Sequence, residues 1–326
     1  YGTGKAIVGS FSLIHPQYFI RPVNTYLHMA PENSDDDGDG AYHTQGLYVQ
    51  EKATLNKWLF LAGLRADFYA AGDEDEGDAA VSHINKLIPS VGVTYAATQK
   101  LRLYATYNKG FDPFEPTSVV QVFNEPFKPV NSEMVETGAK MDFFKNKLLT
   151  TIALYQIVID NVAVNANDVS NPNLYVQRGE ERSRGIETEI QGYLLPNLSA
   201  NIFYTYDVAE ISKSINPEEI GKIKENAPRH SSSSWFKYSF ERGWLKGFGI
   251  GVGHIQASAR NTLINGFILP GYVVFNSGIQ YSKKHFIVAA NLNNLANKTY
   301  WVSAYNNISK WPGEPRNFML KLGYHL

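Results

Sequence analysis

The sequence predicts an all-β protein, a transmembrane antiparallel β-barrel with about fourteen strands present. Three observations predict this fold. Segments of alternating apolar and polar residues recur along the 326 residues, and short turns and long polar loops separate them in turn. No run of about 18 apolar residues is present, which excludes a membrane-spanning helix. Aromatic residues make up 13% of the chain while its mean hydropathy is -0.27. This combination suits many short strands that each have one apolar and one polar face.

The alternation defines the predicted strands in chain order. They span residues 5–14, 44–54, 58–68, 87–97, 101–110, 132–143, 148–160, 182–194, 198–207, 230–240, 247–257, 270–281, 286–296 and 316–326. Each is close to the ~9–11 residues that a tilted strand needs to cross a bilayer. The alternation is clear in 101–107 and 316–326 and weak in 148–160.

The connections between the predicted strands alternate in length. Short breaks fall at 54–57, 97–100, 144–147, 195–197, 241–247 and 281–285. Long polar or Gly/Pro-rich segments fall at 69–85, 111–130, 161–181, 208–228, 258–268 and 297–314. Long loops on one side and short turns on the other are typical of an outer-membrane barrel, whereas a β-sandwich or a propeller would not distribute them so regularly. A soluble sheet with one wet face remains the alternative from pattern alone.

The two strands around the LLPN turn illustrate the two faces. Ile190 and Ile202 belong to one alternating set, and Glu187 and Glu189 belong to the other. Because successive side chains of a strand point to opposite faces, one face is dry and the other is wet. The pattern leaves open whether the dry face meets a protein core or a lipid bilayer.

Seven motifs, in order along the chain, resemble one known family. They lie at residues 42–69, 103–116, 129–162, 182–192, 226–240, 269–301 and 312–326. RSRGIETEIQG at 182–192 resembles the family pattern xxRGxExExxG, and PGEPRNFMLKLGYHL at 312–326 resembles PGxPRxxxxxxxYxF. The chain is thus similar to the C-terminal part of the TonB-dependent outer-membrane receptors, particularly those for ferric siderophores.

The resemblance implies a larger barrel than the chain itself provides. Barrels of that family have about 22 strands and a plugged lumen, so residues 1–326 are expected to be the C-terminal portion of the barrel. The family's N-terminal plug domain and its TonB-contacting segment have no counterpart in these residues. Family members usually end on Phe, whereas this chain ends on Leu326. The resemblance also implies that the dry face contacts lipid and that Glu187 and Glu189 face a wet lumen.

The function implied by the resemblance is transport rather than catalysis. We expect an outer-membrane receptor of a Gram-negative bacterium that takes up a ferric siderophore or similar scarce nutrient with energy from TonB, acting through a plug segment. Outer-membrane lipid, lipopolysaccharide and the barrel assembly machinery are the other expected partners. The alternatives are a complete fourteen-stranded passive channel, and a receptor-like barrel that serves as a structural, glycan-binding or peptide-binding subunit of an envelope complex.

Aromatic rings and guanidinium groups in the long loops are the candidate ligand-binding groups, because stacking and charge suit a flat anionic iron chelate. The candidates are Tyr300, Trp301, Tyr305, Trp311, Arg260, Phe111, Phe114 and Phe123. For any one of them, packing within its loop or in an interfacial girdle is the competing interpretation. The acidic loops suit an anionic ligand poorly, so the siderophore class stays open.

The remaining motifs give little indication of a nucleotide, calcium or other metal site. GTGK at 2–5 lacks the spacing and the Ser or Thr of a phosphate loop. The acidic segments 35–40 and 73–78 predict solvated loops, because the first of them has Gly46 where a calcium loop needs Glu. The eight histidines show no ligand spacing, and cysteine is absent. With a net charge of -1, the sequence predicts no nucleic-acid partner, no catalytic residues, no metal ligands and no cofactor.

Overall fold

The structure, a computed structural model, describes residues 40–73, 82–112, 128–145, 147–165, 174–262, 267–304 and 308–324. Its strands are β1 (Gly40–Leu55), β2 (Trp58–Asp73), β3 (Ser82–Ala96), β4 (Leu101–Asp112), β5 (Val130–Phe143), β6 (Leu148–Asn165), β7 (Tyr175–Leu195), β8 (Leu198–Lys213), β9 (His230–Ser239), β10 (Phe248–Ala257), β11 (Arg260–Asn261), β12 (Ile268–Leu269), β13 (Tyr272–Lys283), β14 (Phe286–Asn293), β15 (Trp301–Ala304), β16 (Lys310–Pro312) and β17 (Asn317–Tyr324). One 3₁₀ turn, Pro217–Glu219, lies between β8 and β9. Across the part of the chain that the structure describes, no helix is long and apolar enough to cross a membrane.

The long strands form a single antiparallel sheet in chain order. The described sheet has 13 strands in the order β1-β2-β3-β4-β5-β6-β7-β8-β9-β10-β13-β14-β17. Two small ribbons, β11–β12 and β15–β16, lie in the connections that follow β10 and β14. The predicted all-β antiparallel fold is therefore confirmed, although the predicted strand 5–14 lies outside the described residues.

Several strands are longer than their alternating patterns predict. β7 begins at Tyr175 and β8 ends at Lys213, whereas the patterns place these limits at 182 and 207. The added residues are rich in charge, and they pair across strands: Glu180 lies opposite Lys213, and Arg182 lies opposite Glu210. Cross-strand ion pairs and backbone bonds extend these strands where the apolar alternation has ended.

The register sorts the side chains into an apolar and a polar face. Ile202 lies between Ile190 and Ser234 on the apolar face, whereas Glu189 lies opposite Phe203 on the polar face. The apolar face continues to the last strand, where Leu322 is 72% exposed. In the described residues no second layer packs on this face, so its apolar side chains need a nonaqueous environment.

The two ends of the strands differ in their connections. Turns at 56–57, 97–100, 144–147, 196–197, 240–247 and 284–285 lie together at one end, here called the turn end. The long connections all lie at the other end, here called the loop end. Asn56 adopts a φ of 53°, which suits the two-residue hairpin between β1 and β2, because Asn tolerates the left-handed region that such a turn requires. The predicted alternation of short and long connections is confirmed.

Candidate functional site

The loop end is organised around a buried arginine. Arg260, in the short ribbon after β10, is 4% exposed. Its guanidinium Nη2 donates hydrogen bonds to the backbone carbonyls of Trp301 at 2.6 Å and of Val302 at 2.7 Å. Burial lowers the pKa of this guanidinium below its usual range. Arg260 therefore joins the connection after β10 to the connection after β14.

Two tyrosine rings extend this cluster onto the sheet. The guanidinium of Arg260 lies 5.4 Å from the ring centroid of Tyr272, a cation–π distance. Tyr272 contacts Tyr300, with 4.6 Å between ring centroids. A Cβ atom at Gly313 would lie 2.0 Å from Cζ of Tyr300, so only glycine leaves room for this ring. Arg260, Tyr272, Tyr300 and Trp301 are called the Arg260 cluster below.

A lysine stands over two further rings beside the cluster. The ammonium of Lys310 lies 4.6 Å from the ring centroid of Phe267 and 5.4 Å from that of Trp301. Trp311, the next residue, is 53% exposed. Two tryptophans and a lysine thus lie on the β15–β16 ribbon, where an anionic aromatic ligand could stack and pair.

Asn226 ties a third connection to the same place. Its side-chain amide donates to the carbonyl of Ala304 at 3.1 Å, and its Oδ1 accepts from the Ala304 N–H at 3.0 Å. Its backbone N–H donates to the carbonyl of Asn261. The residue has a φ of 56°, which Asn tolerates better than most residues. The connections after β8, β10 and β14 are therefore held together at the loop end.

The structure brings some of the predicted ligand-binding residues together. Arg260, Tyr300 and Trp301 form one cluster, with Trp311 on the adjoining strand. Phe111 lies apart at the end of β4, where the ammonium of Lys86 stands 5.7 Å from its ring centroid. Phe114, Phe123 and Tyr305 lie outside the described residues, as do residues 2–5, 35–39 and 74–78 of the motifs discussed above.

Three contributing residues were not predicted from the sequence. Tyr272 follows the LPG turn and carries the ring that faces Arg260, while Lys310 and Asn226 supply the contacts described above. The available signals were the LPGY and NAPRH motifs, which indicate special backbone geometry but not its contact partners. In the part of the chain that the structure describes, no group of three or more His, Asp or Glu side chains could hold a metal ion.

The polar face carries a row of tyrosines and carboxylates between the two ends. The Tyr104 hydroxyl donates to Glu136 at 2.6 Å, and the Tyr155 hydroxyl donates to Asp207 at 3.0 Å. Glu187 shares this face, because it lies in register with Ala153 and Thr205 on the neighbouring strands. A sheet face with several carboxylates requires water or a polar partner opposite it. The predicted polar environment of Glu187 thus agrees with the register.

Ion pairs border the loop end of β7 and β8. Lys213 donates to Glu180 at 2.5 Å, and Arg182 donates to Glu210 from its Nε at 3.2 Å. The hydrogen bonds from Lys213 and Ser212 hold the pKa of Glu180 below its usual range, and the hydrogen bond from Arg182 does the same for Glu210. These carboxylates favour their charged form in the folded protein.

Acidification is expected to loosen the loop end of β7 and β8. A carboxylate with a lowered pKa stabilises the fold above its unfolded value, which is 4.5 for Glu180, and that contribution is lost as the pH falls through the folded pKa. Amide hydrogen exchange of residues 208–213 should therefore lose protection as the pH falls below 4.5, after correction for intrinsic rates. The Lys213→Gln variant should show a smaller loss. Equal losses in both proteins would contradict the assignment.

A family comparison accounts for most of the chain. The family model described as "TonB dependent receptor-like, beta-barrel" matches residues 7–295. This span includes every long strand of the described sheet except β17, which begins at Asn317.

Individual relatives are similar over most of this chain but a minor part of their own. The metal-pseudopaline receptor CntO of Pseudomonas aeruginosa (strain UCBPP-PA14) is 30% identical over 304 residues, which cover 90% of this chain and 42% of that receptor. The ferrioxamine B receptor of Salmonella typhimurium (strain SL1344) is 26% identical over 273 residues, covering 81% and 38%. The chain therefore spans less than half of the length of these relatives.

Solved structures share the fold. The ferripyoverdine receptor of the Pseudomonas aeruginosa outer membrane, bound to ferripyoverdine, matches with a TM-score of 0.71 at 21% identity and covers 88% of this chain and 39% of that one. The siderophore receptor PiuA from Acinetobacter baumannii matches with a TM-score of 0.73 at 21% identity, covering 87% and 43%.

Proposed function

This chain belongs to the TonB-dependent receptor β-barrel family, and on that premise we propose that it forms part of a receptor for energy-dependent uptake of a metal–siderophore chelate. The observation that carries the proposal is the 30% identity to a metal-pseudopaline receptor over 90% of the chain. The chain lies in the outer membrane of a Gram-negative bacterium, as the family does. Its apolar face then contacts lipid, and its polar face lines the lumen.

The chain is proposed to supply the C-terminal share of a larger barrel. It covers 42% of the length of the relative described above. Within the described residues β1 and β17 each have a paired neighbour on one side only, so both can take a further strand. A plug segment that contacts TonB would then belong to the remainder of the receptor.

The Arg260 cluster is proposed as the framework of the ligand site at the loop end, which faces outside the cell. Arg260 itself binds backbone carbonyls and holds the connections together. Trp301, Trp311 and Lys310 then offer the ring faces and the charge to an anionic chelate. This arrangement assigns binding and release to the protein and no bond-making chemistry.

The surroundings are proposed to include lipid, lipopolysaccharide and the assembly machinery. The apolar side chains of the last strand, Phe318, Leu320, Leu322 and Tyr324, lie on one face and are between 55% and 72% exposed. A row of exposed apolar side chains on one face of a strand suits both contact with lipid acyl chains and recognition of the C-terminal strand during barrel assembly.

Energised uptake is the test of this function. Cells that carry the full-length receptor should accumulate radiolabelled iron supplied as ferrioxamine B or pyoverdine chelates, or a labelled metal ion supplied with pseudopaline. Disabling TonB should abolish the accumulation while leaving binding to the cell surface intact. Uptake that persists without TonB would favour a passive channel. Absence of both uptake and surface binding for every chelate would favour a structural or glycan-binding subunit.

A further inference from the structure

A second group of aromatic and cationic side chains lies at the opposite end of the polar face. Near the turn end, β9, β10, β13 and their turns line an open cavity of about 1020 Å³. Its lining includes Lys237, Glu241, Trp244, Lys246, Gln280 and Lys284, and it is called the basin below. The basin is as large as a pocket for a drug-sized organic ligand and much larger than an inorganic ion needs.

The charge of the basin is positive. The lining contains four lysines, Lys237, Lys246, Lys283 and Lys284, and within the described part of the chain Glu241 is the single carboxylate in the lining. The ammonium of Lys237 donates to Oε1 of Gln280 at 3.0 Å, which holds this side chain across the polar face from β9 to β13. An anion that enters the basin would meet one positioned lysine and two lysines from separate turns.

An aromatic side chain, Trp235, lies beside the basin on the polar face. Trp235 is two residues from Lys237 on the same face, and glycines of β10 lie beneath its indole. A Cβ atom at Gly251 would lie 2.4 Å from Cζ2 of Trp235, and one at Gly253 would lie 2.8 Å from its Cε3. The ring therefore lies against the backbone of β10, and it borders a cavity of about 290 Å³ whose lining shares Lys237, Gly249 and Gln280 with the basin.

This combination is distinct from the Arg260 cluster. β10 (Phe248–Ala257) runs from the basin to the loop end, so its ten residues separate the basin from the loop end by roughly 30 Å at ~3.3 Å per residue, and Trp235, opposite Gly253, lies between them. The basin shares no residue with the loop-end site. A ligand bound at one end cannot contact the other.

We propose that Trp235 and the basin form a second binding site, for flat aromatic ligands that carry several negative charges. The indole face stacks with the ligand, and Lys237, Lys246 and Lys284 pair with its anionic groups. The inference rests on the proposed function for its physiological meaning: a chelate that enters at the loop end reaches this site before it leaves at the turn end. The binding itself is measurable without any transport.

The test uses the purified full-length receptor and pyrene-1,3,6,8-tetrasulfonate, a flat aromatic tetra-anion whose fluorescence anisotropy reports binding. The wild-type receptor is expected to bind this probe saturably. The triple variant Lys237→Gln, Lys246→Gln, Lys284→Gln should weaken binding by about tenfold or more. The matched control Lys57→Gln, Lys100→Gln, Lys145→Gln removes three charges from other turns at the turn end, none of which lines the basin, and it should bind within about twofold of wild type.

The aromatic part of the site has its own variants. Trp235→Leu keeps apolar bulk but removes the ring, and it should weaken the tetrasulfonate by about fivefold or more. Gly251→Ala should act in the same direction, because its Cβ would displace the indole. Benzenehexacarboxylate, an anion with a single small ring, should compete weakly with the probe in the wild-type receptor and should be insensitive to Trp235→Leu.

Each outcome decides the inference. Absence of probe binding to the wild-type receptor overturns it, as would be expected if another segment of the receptor covers the basin. Equal binding to the triple lysine variant, or loss of binding in an Arg260→Gln variant instead, also overturns it. Failure of energised chelate uptake would contradict the proposed function but would not affect the result of the probe-binding experiment. The failure of the proposed function and the failure of this inference are therefore distinguishable. Outer-membrane yield and heat-modifiable migration equal to wild type show that each variant is folded.

Discussion

Replacing Ile202 by arginine is expected to destabilise the barrel in the membrane by about 2–4 kcal/mol, because a charged side chain on the lipid face near the bilayer midplane has no water or counter-ion. Ile202 lies on the apolar face between Ile190 and Ser234, four residues after β8 begins at Leu198. At ~3.3 Å per residue it is about 13 Å along the strand from the turn end, near the middle of an apolar band ~25 Å tall. The measurement is the free energy of unfolding from lipid bilayers in a guanidinium titration, together with the receptor level in the outer membrane.

The matched control places the same charge on the opposite face. Asn201 precedes Ile202 on β8 and lies opposite Gln191 and Trp235 on the polar face. Asn201→Arg should therefore change the unfolding free energy by less than about 1 kcal/mol, as expected for a hydrated site. The conservative exchange Glu189→Gln on the same face should also be tolerated. If Asn201→Arg and Ile202→Arg are equally damaging, the assignment of the faces is wrong.

The faces of the sheet could be predicted from the sequence because they depend on a local rule. A strand sends alternate side chains to opposite sides whatever its neighbours are, so Glu189 and Ile202 were assigned correctly before any pairing was known. The strand limits were predicted less well where charge replaced alternation. Tyr175 to Glu181 at the start of β7 has no apolar period, and its extended structure depends on partners such as Lys213 that lie far away in sequence.

The loop-end site could be predicted only as a set of residue types. Arg260 and Trp301 were identified as aromatic and cationic groups in long loops, but the sequence does not show that the guanidinium of Arg260 bonds the backbone carbonyl of Trp301. The ribbons β11–β12 and β15–β16 were missed because segments of two to four residues are too short to show alternation. Contacts of this kind depend on tertiary structure, which local patterns do not contain.

Replacing Arg260 by glutamine is expected to release the β15–β16 ribbon from the rest of the loop end. The change removes two short hydrogen bonds from a buried cation to the carbonyls of Trp301 and Val302, and also its contact with the Tyr272 ring. Hydrogen bonds to charged groups contribute about 1.5–3 kcal/mol each. We expect the free energy of local opening of this ribbon to fall by about 2–4 kcal/mol.

Amide hydrogen exchange of Trp301–Ala304 in the full-length receptor measures this effect directly. A loss of 2–4 kcal/mol corresponds to exchange about 30- to 1000-fold faster in the Arg260→Gln variant, provided that these amides exchange through local opening. Arg260→Lys keeps the charge but not the planar fork that reaches both carbonyls, so its loss of protection should be intermediate. Arg242→Gln, in the turn between β9 and β10, is the matched control and should leave the ribbon unchanged. The proposed function places chelate contacts at Trp301 and Trp311 on this ribbon, and it therefore predicts that chelate affinity falls in the same order as protection. Unchanged protection in Arg260→Gln would show that the ribbon is held by other contacts, such as those of Asn226 with Ala304.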